Sequence, residues 1–268
     1  MSDKPKVLVK EKIADAGVDL LRESFDVEVG TDWPEGELES RIGEFDAILI
    51  RSATKMTPEL IGKGTSLRAI GRAGTGVDNV DIDAATARGI VVANAPESNS
   101  VAAAEHTLAL ALALFRNVPQ AHATLAAGEW ARSRFGGNEL YRKTLGVIGF
   151  GRIGQLVARR ALSFDMDVVA FDKFVSAERF KELGVEGVDD IDELYARADL
   201  ITIHLPKTPE TINWIDAESL AKMKDGVRIV NCARGELIDL EALEQALESG
   251  KVAGAALDVF PAEPMTRS

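Results

Sequence analysis

Cysteine is almost missing from this sequence. Cys232 stands alone among 268 residues, so no internal disulfide can form, and a reducing compartment such as the cytosol is the expectation. Positive charge is also short. Lys and Arg number 31 against 43 Asp and Glu, a net charge of −12, which argues against non-specific nucleic-acid binding. A small anionic substrate stays compatible, because local cations decide that. Long uncharged apolar runs are absent too. The most apolar stretch, Val101 to Phe115, carries Glu105 and His106 and is too polar for a membrane span. The opening MSDKPKVLVKEK has no apolar core of the kind a leader needs, so a cytoplasmic protein without a membrane partner is expected. Three histidines, His106, His122 and His204, limit the possible imidazole chemistry. What is present is 46% hydrophobic and 28% charged residues, enough for globular cores and, at this length, for two domains.

The most informative stretch is KTLGVIGFGRIGQLVARRALSFDMDVVAFD, Lys143 to Asp172. Leu145, Val147 and Ile148 predict a strand. Gly149, Gly151 and Gly154 follow in GxGxxG spacing. Ile153, Leu156, Val157, Ala161 and Leu162 recur at helical spacing, and DVVAFD predicts the next strand. Gly149 permits a sharp turn, Gly151 lets a pyrophosphate approach the backbone, and Gly154 allows close helix–strand packing. The helix N-terminus offers partial positive charge to a diphosphate. Asp172, about 20 residues on, suits a carboxylate that accepts from ribose hydroxyls and repels a 2′-phosphate, which favours NAD over NADP. The plainer alternative is a glycine-rich turn in an ordinary α/β unit. Lys173 reads as a solvated lysine.

Strand and helix alternate on both sides of this motif, which predicts parallel sheets with helical crossovers. KVLVK, DVEVG, DAILIRS, LRAIGRAG and GIVVANAP read as the first five strands. Ile13, Ala16, Gly17, Leu20 and Leu21 read as one helix face, and Leu38, Ile42 and Phe45 as another. Thr57 and Pro58 form an N-cap and first helical position. Residues 98–118 predict a helix apolar nearly all round and buried on several sides, bridging domains or packing against a second subunit. A helix and an irregular arm follow, with Trp130 and Phe135 read as packing residues. Beyond the glycine motif come helices at 176–184, Ile191 to Ala198 and Glu218 to Met223. Strands DLITIHLP and GVRIVNCARG, the helix LIDLEALEQALESG closed by Gly250, the strand VAGAALDVF and the tail PAEPMTRS complete the order.

Ligands of parallel sheets bind beyond the carboxyl ends of the strands. Arg51, Arg72 with its glycine turn, His204, Arg234 and Glu263 all fall there. Arginines at such ends suit a carboxylate or phosphate, which a guanidinium grips as a fork.

ILIRSATK, AIGRAGTGVDNVDIDAATARGI, NSVAAAEHTLAL, KTLGVIGFGRIG, HLPKTPET, VNCARGELID and GAALDVFPAEP together resemble the D-isomer-specific 2-hydroxyacid dehydrogenases, over almost the whole chain. GRAGTGVDNVD with SNS and AAE resembles the branch that oxidises phosphoglycerate. The resemblance implies two doubly wound α/β domains, a flavodoxin-like substrate domain over 1–97 and a Rossmann NAD-binding domain over 98–268. It implies Arg234 as the catalytic arginine on the substrate carboxylate, and Glu263 as the acid that tunes a catalytic histidine. Thr75, Gly149, Gly151, Arg152, Ile153, Gly154, Asp172, Leu205, Cys232, Ala233 and Asp258 would line the NAD. Arg51, Arg72, Gly74 and Gly76 would receive a small anionic 2-hydroxy acid. Arg132 and Arg134 loosely resemble basic residues that reach a neighbouring subunit, and the helix around 98–118 would form a homodimer. No metal is implied.

The resemblance also implies a histidine in a His-Leu-Gly-Ala-Ser-Thr-like segment after the Glu263 motif, and these 268 residues do not contain one. His106 reads as structural, His122 as solvated and His204 as a strand-end residue near the cofactor. The expectation is therefore a truncated chain, missing also the last crossing back to the substrate domain, that binds NAD but turns over poorly. Glu263 is expected to be an unpartnered, solvated carboxylate, and Cys232 a packing residue. Alternatives are another D-2-hydroxy acid, such as glycerate or hydroxypyruvate, and an NAD(H)-responsive binding protein of the corepressor type.

Overall fold

The computed structural model describes residues 4–265. Of the tail, Thr266 to Ser268 lie outside the described residues. The chain divides into two compact units between Asn99 and Ser100.

Unit 1 alternates β1 (Lys6–Val9), α1 (Asp15–Ser24), β2 (Asp26–Val29), α2 (Glu37–Arg41), β3 (Ala47–Ile50), α3 (Pro58–Lys63), β4 (Ala69–Arg72), α4 (Ile82–Ala87) and β5 (Val91–Asn94). All its strand pairs are parallel, in the order β2-β1-β3-β4-β5. That is the flavodoxin-like order, whose direction reverses between β1 and β3. Leu8, Ile48 and Ile70, all buried, centre the core, with Phe45, Ile61 and Met56 packed from the helix side. The cap on α3 is as expected: Thr57 accepts from the Leu60 amide, and Pro58 stands at the first turn.

The face expected of α1 is shifted. Val18 is its buried residue, and Leu20 is 66% exposed. Helix α2 gives way at Ile42 to a short 3-10 turn, with Phe45 already extended. Asp81 caps α4, accepting from the Ala84 amide at 2.7 Å; the sequence reading had not separated that helix.

Unit 2 opens with α5 (Ser100–Arg116) and α6 (Val118–Ala126). It continues through β6 (Thr144–Ile148), α7 (Arg152–Leu162), β7 (Asp167–Phe171), α8 (Ala177–Glu182), β8 (Glu186–Gly187), α9 (Ile191–Arg197) and β9 (Leu200–Ile203). It closes with α10 (Ala217–Lys222), β10 (Val227–Asn231), α11 (Leu240–Glu248) and β11 (Val252–Leu257). The six strands are parallel in the order β11-β10-β9-β6-β7-β8. This is the Rossmann order, and it reverses between β6 and β9.

The strands are apolar on both faces because helices cover both. Successive side chains alternate between two cores. Leu145, Val147, Val168 and Ala170 face α5 and α7. Ile148, Val169, Ile201, Ile203 and Ile229 face the side of α9, α10 and α11. Each fully buried Leu, Ile or Val contributes roughly 1.5–3 kcal/mol over its exposed state.

Helix α5 corrects an expectation. It packs on α7, β10 and β11 through one face, with Ala104, Thr107, Leu108, Ala111 and Phe115 buried. The opposite face carries Ala102 and Ala109, both exposed, whereas Val101, 49% exposed, starts the same stripe as Leu108 and Phe115. Among the described residues that first face carries the buried side chains of the helix. Trp130, expected to pack, is 82% exposed on an irregular arm, whereas Phe135 is half-buried. Among the described residues no single helix is long and apolar enough to cross a membrane. Helices α5 and α6 satisfy length and composition only as a pair bent by 65°.

Candidate functional site

In unit 2 the polar and glycine-rich segments gather at the carboxyl ends of β6, β7, β9, β10 and β11. Gly149 follows β6 with φ +89°, a conformation that side chains resist. A Cβ there would also meet the His204 carbonyl carbon at 2.8 Å, because β6 and β9 flank the point where strand order reverses. Gly154 has no room either, since its Cβ would overlap the Gly149 carbonyl oxygen. Gly151 differs. It caps α7 with ordinary negative φ, and a Cβ there would have no neighbour within 4 Å. The space above Gly151 is open. No side chain caps this end of α7, and no acid stands in its first turn. Such an end favours an anion.

Asp172 follows β7, and its carboxylate is tied to the turn itself. Oδ2 accepts the Phe150 N–H at 2.7 Å, and Oδ1 accepts the Phe174 N–H at 2.8 Å. Each carboxylate oxygen has a further lone pair for a sugar hydroxyl. The sequence leads to the expectation that Asp172 meets a ribose; the tie to Phe150 is an addition from the register of β6 against β7. Lys173 is exposed, with Nζ 5.6 Å from the Trp214 ring centre. Leu205, half-buried, lies against Gly149 from the β9 side.

The loop after β10 is shaped by a residue that sequence reading did not single out. Asn231 is buried; its side chain donates to the Arg234 carbonyl at 2.8 Å and accepts from the Ala233 N–H at 2.9 Å. An Asn closing a strand before a loop is the available signal. Arg234 Nη1 donates to the Ala233 carbonyl at 2.7 Å. Gly235 was also missed. A Cβ there would overlap the backbone of Phe260, so the Arg234 loop and the segment leading to Glu263 lie directly against each other.

Glu263 is exposed but not unpartnered: Oε1 accepts the Phe260 N–H at 3.0 Å, which corrects the expectation. The Asp258 amide donates to the Asn231 carbonyl at 3.0 Å. Burial pushes the Cys232 thiol above its ordinary value; a bond with Thr107 opposes this and the Asp258 charge adds to it. Cys232 is therefore a protonated, half-buried thiol at neutral pH.

The histidines divide. His204 Nε2 lies 3.0 Å from Thr202 Oγ1, and desolvation pushes the ring down to about 4, so it is neutral and no base for chemistry near pH 7. His122 is exposed, as expected. His106 is not buried structure: Nε2 lies 3.2 Å from Asp258 Oδ1, with both side chains about half exposed. Arg132 and Arg134 lie exposed in a 3-10 turn, Arg134 beside Glu129 at 3.4 Å.

Unit 1 carries its own set at its own carboxyl edge. Arg51 follows β3, next to the reversal between β1 and β3. Glu11, after β1, accepts the N–H groups of Arg51, Thr54 and Ala53 at 2.8, 2.9 and 3.1 Å. Burial alone would raise the Glu11 pKa, but the amides of Thr54, Arg51 and Ala53 together hold it lower than usual. Asn79 completes the loop, donating to the Arg51 and Thr54 carbonyls, both at 2.7 Å. Neither Glu11 nor Asn79 stood out in the sequence. The Arg72 guanidinium lies over Gly74, where a Cβ would overlap it. Thr75 donates to Asn99 Oδ1 and accepts at its carbonyl from Asn94 at 2.6 Å. Gly76 is half-buried beside it.

Residues 108–268 match the family model for the NAD-binding domain of D-isomer specific 2-hydroxyacid dehydrogenases. A D-3-phosphoglycerate dehydrogenase of Synechocystis is 50% identical over 98% of this chain and 47% of its own length. The chain thus spans about half the length of the curated relatives it matches. A glyoxylate reductase from Paecilomyes thermophila superposes with a TM-score of 0.89 at 33% identity, covering 98% of this chain and 84% of that one. A D-lactate dehydrogenase from Aquifex aeolicus, solved with NAD and lactic acid, superposes at 0.82 and 33% identity, over 96% and 77% of the two chains.

Proposed function

This chain belongs to the D-isomer-specific 2-hydroxyacid dehydrogenase family, and from that premise we propose that it binds NAD and oxidises D-3-phosphoglycerate to 3-phosphohydroxypyruvate. The observation that carries the reading is the open glycine turn at the strand reversal of unit 2, with the Asp172 carboxylate bonded to its Phe150 amide. Relatives at about half identity with that printed activity support the substrate.

NAD, when bound, supplies the hydride acceptor. Gly151 and the start of α7, with Arg152 and Ile153, hold the diphosphate. Asp172 holds the adenosine ribose, and Leu205 walls the cleft. Cys232, Ala233, Asp258 and Thr75 line the coenzyme. Arg234 clamps the substrate carboxylate, whose two oxygens match its fork of donors. Arg51, Arg72, Gly74 and Gly76 of unit 1 receive the remaining anionic group. Glu263 steadies the imidazolium formed when the family's histidine takes the hydroxyl proton.

None of His106, His122 and His204 fills that proton-accepting role. Unit 1 is the substrate domain and unit 2 the coenzyme domain. The protein works in the cytoplasm as a homodimer formed through α5.

Titrating NADH fluorescence and assaying turnover on the same sample tests this. Saturable NADH binding with oxidation of D-3-phosphoglycerate, and none of glycerate or lactate, is the expected result. No NADH binding would end the coenzyme reading. Preference for another 2-hydroxy acid would end the substrate reading.

A further inference from the structure

Three side chains of different donor chemistry meet at the carboxyl ends of β10 and β11. The register that pairs Asn231 with Leu257 makes the next residues, Cys232 and Asp258, neighbours. Helix α5, packed over both strands, brings His106 to the same place. One donor atom of each lies within 4.8 Å of the other two, and this is the one such group among the described residues. We propose that His106, Cys232 and Asp258 form a binding site for a divalent cation of the zinc type, and that this cation and the coenzyme exclude each other. The binding rests on the trio alone; the exclusion rests on the coenzyme reading above.

The donor set selects the ion. A sulfur, an imidazole nitrogen and a carboxylate oxygen suit zinc or cobalt, whereas magnesium and calcium take oxygen donors. A tetrahedral shell with bonds of about 2.0–2.3 Å sets donors roughly 3.3–3.6 Å apart. His106 Nε2 and Asp258 Oδ1 are already 3.2 Å apart. The remaining separations close with about 1 Å of side-chain movement to reach that shell. Three protein donors leave the fourth position to water. His106 and Asp258 are about half exposed, so an ion reaches the site from solvent.

The charges balance simply. On entry the cation forms bonds to the imidazole nitrogen, the carboxylate and the sulfur. The S–H bond of Cys232 breaks and its proton goes to solvent. The dipositive ion then meets one thiolate and one carboxylate. No electron moves. Because Cys232 and Asp258 are also among the residues proposed to line the coenzyme, one occupant bars the other.

The chain, stripped with a chelator and free of coenzyme, is titrated with Co²⁺ as a visible probe. The expected result is one Co²⁺ per chain, with a thiolate-to-cobalt charge-transfer band. Cys232→Ser abolishes that band, and His106→Ala or His106→Gln weakens Co²⁺ binding at least tenfold, with circular dichroism confirming each fold. Absence of the band at saturation, or unchanged affinity in both His106 variants, overturns the site. NADH added to the cobalt-loaded chain should bleach the band. A band that persists while NADH binds removes the exclusion and leaves the site standing. NADH that fails to bind even the stripped chain removes the coenzyme reading, and the cobalt spectrum still decides the metal.

Discussion

The Asp172 carboxylate accepts the backbone N–H of Phe150 at 2.7 Å, so the residue proposed to grip the ribose also fixes the turn proposed to hold the diphosphate. Replacing Asp172 with Ala removes both. NADH affinity should fall at least tenfold, about 1.4 kcal/mol, and Asp172→Asn, which keeps one acceptor oxygen, should lose less. Fluorescence titration measures this; an unchanged dissociation constant for Asp172→Ala would sink the ribose assignment.

Two glycines of the same turn separate binding from folding. Gly154→Ala forces a Cβ onto the Gly149 carbonyl, an overpacking that costs about 1–3 kcal/mol. Its melting temperature should fall by several degrees. Gly151→Ala meets nothing within 4 Å, so its melting temperature should hold while NADH binding weakens. Calorimetry with and without NADH distinguishes them. Equal melting losses in both variants would contradict this division.

Glu11 gives unit 1 an acid sensitivity. Its folded pKa is depressed, so the unfolded chain takes up a proton first as pH falls. The stabilisation is complete above the ordinary value of 4.5 and is lost as pH drops from there through the folded value. Hydrogen exchange at the Arg51, Ala53 and Thr54 amides should accelerate across that window, and Glu11→Gln should remove the acceleration. An identical profile in the variant would refute the role.

His204 acts higher in pH. Its folded value of about 4 lies below the ordinary 6.5, so between them the unfolded chain binds a proton that the folded chain refuses. Stability is full above 6.5 and declines as pH falls towards 4. The ring's carbon shifts in a nuclear magnetic resonance titration should stay flat through 6.5 and reach their midpoint only near 4. A midpoint near 6.5 would show that the ring is solvated.

Helix α5 supplies the test of assembly. Ala109 lies on its uncovered face, exposed in the single chain. If α5 forms the proposed dimer, Ala109→Glu should shift sedimentation from dimer to monomer with little change in the monomer's fold. A dimer that survives the substitution places the contact elsewhere.

The sheets were legible because their strands are apolar on both faces and the helices between them keep a clean period. The glycine turn was legible because only glycine tolerates the conformation at Gly149 and the approach at Gly154. Residue-to-residue ties were not. Asp172 meets Phe150 through strand register, which no local pattern encodes, whereas Asn231 reaches Ala233 and Arg234 inside its own loop, where an Asn at a strand end is the one local signal. His106 misled because an apolar helix suggests burial, whereas its environment is set by Asp258, far along the chain. Leu20 misled because α1 turns another face inward, with Val18 at its centre. The strand β8 has two residues, too few for any alternation to register.

Gly235 leaves no gap between the Arg234 loop and the backbone at Phe260, and Glu263 is pinned to that same Phe260 amide. Cation and acid therefore ride on one plate. The spacing between these groups is set inside unit 2 itself, and a bulkier residue at 235 would pry them apart without touching either.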